Sequence, residues 1–194
     1  MRKFLVVALM VLPLVAAGCS KGPAEAALKA ADEAIAKVKP EAEKFVPAEF
    51  TTLTDAVAAA KAKFDAGDYA AALAAAKDLP AKATEVATAA SAKKDALMKQ
   101  WNDFQGSMPG IVQGLTDKVG ALAAMKKLPK GFERAQLETA KTSLTEVTDL
   151  WQAATGAFGA GDIAGATAKA GDVKAKAEAL TTLLGAVEVP AAKK

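Results

Sequence analysis

The chain has 194 residues, with 25 basic and 22 acidic side chains, no histidine and a single cysteine, Cys19. The lack of histidine rules out Ser-His-Asp and Cys-His nucleophilic sites, and zinc or haem sites built on histidine or cysteine ligands are excluded with them. About a quarter of the chain is alanine, the best intrinsic helix former, and the length is ample for a sizeable core, so the composition predicts an all-α protein.

The chain opens with Arg2 and Lys3, an apolar stretch from Phe4 to Leu14 interrupted by Pro13, and the small residues Ala16, Ala17 and Gly18. This order is that of a secretory signal, and the apolar stretch is too short to span a bilayer permanently. Leu14-Val15-Ala16-Ala17-Gly18-Cys19 resembles the lipobox of bacterial lipoproteins, although Ala16 stands where leucine is commonest. The resemblance implies that Cys19 receives a diacylglycerol, that the bond before it is cut, and that the new amino group is acylated (palmitate being a typical chain). Each buried acyl methylene contributes about 0.8 kcal/mol, so two or three chains anchor without help from the polypeptide. Ser20 follows the cysteine where an aspartate would retain the protein at the inner membrane. By resemblance to enterobacterial lipoproteins, this implies the outer membrane, facing the periplasm.

Removing Arg2 and Lys3 with the leader reduces 25 basic side chains to 23, against 22 acidic ones, so the body is close to neutral. Lysines and acids alternate along it, which sets nucleic acid aside as a partner.

Six segments then carry apolar or small residues at steps of three and four. They run Leu28 to Phe45, Phe50 to Phe64, Leu73 to Phe104, Val112 to Leu122, Leu137 to Phe158 and Ile163 to Leu184. Such spacing keeps one stripe of each helix against a neighbour, the seam geometry of bundles and coiled coils. Alanine occupies many seam positions, so the backbones approach closely. The aromatic residues act as wedges between layers. Pro47, Pro109 and Pro129 are read as lying near helix starts, and Gly67, Gly110, Gly131 and Gly161 as lying near ends or in turns. Pro80 should kink or split the third segment, and Pro40 is a possible break in the first.

Gly67-Asp68 and Gly161-Asp162 pair a stop with a start: the glycine takes a left-handed conformation and the aspartate caps the next helix. They also reveal a repeat. Phe64-Asp65-Ala66-Gly67-Asp68-Tyr69-Ala70 aligns without gaps on Phe158-Gly159-Ala160-Gly161-Asp162-Ile163-Ala164, and Asp78 with Asp172 continues the register. Ala66 to Ala72 resembles the turn of a tetratricopeptide repeat, which implies two antiparallel helices but lacks the 34-residue period. The N-terminal half is also similar in composition to alanine-rich helical domains of unknown function in Gram-negative envelope lipoproteins.

Chemistry is sparse. Asp32, Glu33, Glu41, Glu43, Glu133 and Glu138 could form a carboxylate pair of the kind that hydrolyses glycosides. Lys29, Lys37, Lys44 and Arg134 stand near them at spacings that suit a solvated, ion-paired helix face. Gly159 to Gly165 brushes against a phosphate-binding glycine loop, but a helix precedes it where a dinucleotide fold needs a strand. Trp101, Phe104, Trp151 and Phe158 fall on seams, where core packing outweighs a ligand cleft.

These observations predict an antiparallel bundle of about six helices in two tandem three-helix units. The expected divisions are a signal peptide over 1–18, a lipidated tether over 19–25, helical units over 26–106 and 107–187, and a tail over 188–194. The expected role is a non-enzymatic scaffold or interaction module of the bacterial envelope, held by acyl chains on Cys19 and engaging an envelope protein, with no cofactor, metal or catalytic residue. A carrier of an apolar or amphipathic ligand between helices is the first alternative, and a carboxylate-based hydrolase the second.

Overall fold

The computed structural model describes residues 20–185. Cys19, the leader and the C-terminal tail lie outside the described residues. Six helices and no strand occur among those described: α1 (Lys21–Phe45), α2 (Pro47–Asp65), α3 (Tyr69–Ala76), α4 (Leu79–Ala124), α5 (Arg134–Gly159) and α6 (Ile163–Gly185). The protein is therefore an all-α helical bundle. Its contacts divide it into two compact units, with the boundary between Lys93 and Lys94 inside α4.

The first unit contains α1, α2, α3 and the opening of α4. Proline sets two of its junctions. Pro47 is the first residue of α2, and it drives Val46 out of helical geometry to φ −141°, which ends α1. Pro80 is the second residue of α4, where a missing N–H is harmless, and Lys77 and Asp78 separate that helix from α3. The seams follow the predicted periodicity, with Leu79 and Val46 joining them. Leu28 and Ala31 of α1 meet Leu53, Val57 and Ala60 of α2, with Ala76, Leu79 and Ala83 closing the cluster. Ala42, Val46, Phe50 and Ala90 form a second, smaller one.

The second unit contains the remainder of α4 together with α5 and α6. Met108, Leu115, Val119 and Leu122 of α4 pack with Leu137, Ala140 and Val147 of α5 and with Val173, Ala177, Leu180 and Leu184 of α6. Burial of these side chains, at roughly 25 cal/mol per Å² of apolar surface, is the main term that holds the helices together.

Four expectations change. Residues 21–25 are not a tether: they open α1, and Ala24 is fully buried. Pro40 does not break α1. Pro109 and Gly110 lie inside the 46-residue α4 instead of starting or ending a helix. The unit boundary falls at Lys93/Lys94 and not at 106/107. The last two differences share one cause. Trp101, Met108 and Leu115 recur every seven residues and are all buried in the second unit, so packing carries the helix through the proline.

Candidate functional site

The two Gly-Asp turns have the same hydrogen-bond geometry. Gly67 and Gly161 have φ of 82° and 81°. In the first turn the Gly67 N–H donates to Phe64 O at 2.9 Å and the Asp68 N–H to Lys63 O at 3.0 Å. In the second, the Gly161 N–H donates to Phe158 O at 2.9 Å and the Asp162 N–H to Ala157 O at 2.9 Å. Each is a Schellman C-terminus, which satisfies carbonyls that a helix end leaves over. Each aspartate then caps the following helix: the Ala71 N–H donates to Asp68 Oδ1 at 3.1 Å, and the Gly165 N–H to Asp162 Oδ1 at 2.8 Å. The Gly159–Gly165 stretch is thus an inter-helix corner and not a phosphate cradle.

The rings beside the corners differ. Phe64 meets Tyr69 edge-on at 5.0 Å, and Lys21 Nζ lies 5.8 Å from the Tyr69 centroid, within range of a cation–π contact. In the second unit Phe158 stacks on Trp101 at 4.6 Å, and Trp151 stacks on Trp101 at 5.7 Å. Trp151 and Phe158 are two turns apart on α5, about 10.5 Å along the axis. Trp101 of α4 thus stacks with both of these α5 rings. It is 1% exposed, and its Nε1–H has no hydrogen-bond partner among the described residues. Trp101 thus fills a seam, with Trp151 and Phe158 half-buried against it.

The acids do not converge. Asp32 pairs with Lys61 at 2.7 Å, Glu43 with Lys39 at 3.7 Å and Glu138 with Lys141 at 2.9 Å. Glu33, Glu41 and Glu133 are exposed. Lys176 bridges α6 to Glu146 of α5 at 2.6 Å beside a shallow surface groove bordered by Asp149 and Leu150. Among the described residues no group of three or more acids, histidines or cysteines could hold a metal ion. The threonine hydroxyls turn inward on their own helices: Thr139, Thr142, Thr145 and Thr148 each donate to the carbonyl four residues back.

One surface feature escapes the pattern of alternating charge. Between α4 and α5, Lys126, Lys127, Lys130 and Arg134 stand exposed with a single acid, Glu133. Net charge summed over a ten-residue window is the sequence signal that reveals it; charge averaged over the chain hides it. Phe132 is buried, and Met125 and Leu128 pack against the same core, so the loop is pinned from inside.

Among the described residues no helix is long and apolar enough to cross a membrane. Comparison with protein-family models, curated proteins and solved structures gives no match to this chain, so its own residues carry the functional argument.

Proposed function

We propose that this protein is a non-enzymatic, lipid-anchored helical module of the bacterial cell envelope, a scaffold or adaptor that presents helix faces to another envelope component. The observation that carries the reading is the filling of the seams. Trp101, the largest fully buried side chain among the described residues, stacks on two rings within a seam, and the acids are dispersed over solvated faces. What remains for function is the outer surface and the attachment point. The order of positive residues, apolar stretch, small residues and Cys19 supports attachment through acyl chains, at the outer membrane when Ser20 follows the cysteine.

The test is a Cys19→Ala variant compared with the parent in the native envelope. Acylation, and membrane fractionation that resists a high-salt wash, are expected to disappear while the circular dichroism of the body stays helical. Membrane association that survives a high-salt wash after a normally cleaved signal would overturn the anchor. Crosslinking of the parent in the envelope should capture a defined neighbour; conversion of a substrate by the purified body would overturn the non-enzymatic role.

A further inference from the structure

The loop from Met125 to Arg134 gathers charge that the rest of the body disperses. Lys126, Lys127, Lys130 and Arg134 form no ion pair among the described residues, and unlike the scattered unpaired lysines such as Lys37, Lys44 and Lys77 they stand together within nine residues beside a single acid, Glu133. Helix electrostatics accounts for half of them. Lys126 and Lys127 follow the C-terminus of α4, the end that favours cations. Arg134 is the first residue of α5, at the end that disfavours cations, and no acid lies in that first turn. Lys130 is mid-loop. Neither is favoured by a helix end.

The loop is also held in place. Phe132 is 5% exposed, Met125 and Leu128 lie against the core, and Gly131 turns the chain at φ 86°. The Phe132 N–H donates to Pro129 O at 3.1 Å, and the Glu133 N–H to Gln136 Oε1 at 2.8 Å. Apolar residues point in and cations point out, so the charges are presented on a fixed platform.

We propose that this loop docks on an anionic lipid surface, its three lysines and one arginine meeting headgroup phosphates. A protein partner fits less well. Protein interfaces centre on aromatic or aliphatic anchors and are depleted in lysine, and here every large apolar residue of the loop is turned into the protein's own core. A sheet of headgroups needs only unpaired cations held at one level. Each contributes about fivefold to partition onto an anionic membrane, so the four together contribute a hundredfold or more. The assignment does not rest on acylation of Cys19.

The experiment uses the full chain carrying Cys19→Ala, so that no acyl chain is present and the leader is common to every arm. Cosedimentation is measured with zwitterionic vesicles and with the same vesicles containing about one-third anionic phospholipid, at low and high salt. Anionic lipid is expected to raise partition. K126Q/K127Q/K130Q/R134Q should lose a hundredfold or more of that gain with an unchanged circular dichroism spectrum, and high salt should do the same to the parent. K37Q/K44Q/K77Q/K93Q, with the same change in net charge, should keep it. Equal partition of the loop variant and the parent would overturn the proposal, as would equal loss in the control variant. A parent that ignores anionic lipid but binds polyglutamate through these four cations would also overturn it, assigning the loop to an acidic protein.

Discussion

Trp101 and Phe158 stack at 4.6 Å with only 10° between their ring planes, and this contact ties α4 to the last turns of α5. Trp151 stacks on the same indole at 5.7 Å, so one side chain carries two aromatic contacts in a site 1% exposed.

Trp101→Ala should therefore cost about 3–5 kcal/mol, as expected for a buried aromatic side chain replaced by a methyl group. Trp101→Phe should cost far less, about 1 kcal/mol or below, because it also removes a buried Nε1–H that has no partner. Urea denaturation followed by circular dichroism separates the two values; equal losses would show that the ring stack is not what the site requires.

Gly165→Ala offers a test of the repeated corner. A Cβ at Gly165 would collide with the present Asp162 carboxylate. The matching position in the first copy is already alanine, and there the cap persists at 3.1 Å instead of 2.8 Å. The carboxylate should relax to the first copy's arrangement, and the substitution should be neutral or stabilising by about 0.5–1 kcal/mol. Gly161→Ala, in contrast, forces a side chain into φ 81° and should cost about 1–2 kcal/mol. Paired thermal melts decide both signs.

Pro40→Ala and Pro109→Ala should each raise stability, by about 1–3 kcal/mol, because both prolines sit inside continuous helices on exposed positions. Chemical denaturation of the two variants measures the gain. A loss at Pro109 would mean that the second unit's packing depends on a local bend of α4.

Ala170 is fully buried on α6, and Ala168, two residues earlier, is exposed. Ala170→Leu should overpack the seam and cost about 1–3 kcal/mol, whereas Ala168→Leu should stay within about 0.5 kcal/mol of the parent. The contrast, read from denaturation midpoints, tests whether close backbone approach sets the seam.

Much of the fold is legible in the sequence because a seam repeats a simple steric demand. Leu28, Ala31, Leu53, Val57, Ala140, Val147, Val173 and Leu180 are buried where the three-and-four spacing puts them. Gly67 and Gly161 take the left-handed conformation that a stop before an aspartate cap requires. Pro109 misleads because a local rule about proline competes with burial of Met108 and Leu115 on either side, and only the tertiary environment decides between them. Once a helix start is read there, Met108 drops out of the seam and the unit boundary shifts with it. Phe132 is missed for a related reason, being buried near a junction outside any periodic run, whereas Leu79 is buried within the third segment, three residues after Ala76 and four before Ala83. The basic loop is invisible to periodicity altogether, since charge on a turn has no period.

The twin corners at Gly67 and Gly161 are made almost wholly by main-chain atoms and one carboxylate. A joint of that kind places few demands on the residues flanking it. The position three residues before it is thus free to specialise: Phe64 leans on a tyrosine that also faces a lysine ammonium, while its counterpart Phe158 stacks on an indole. The chain reverses with the same hydrogen bonds at both corners while the rings beside them grip different partners.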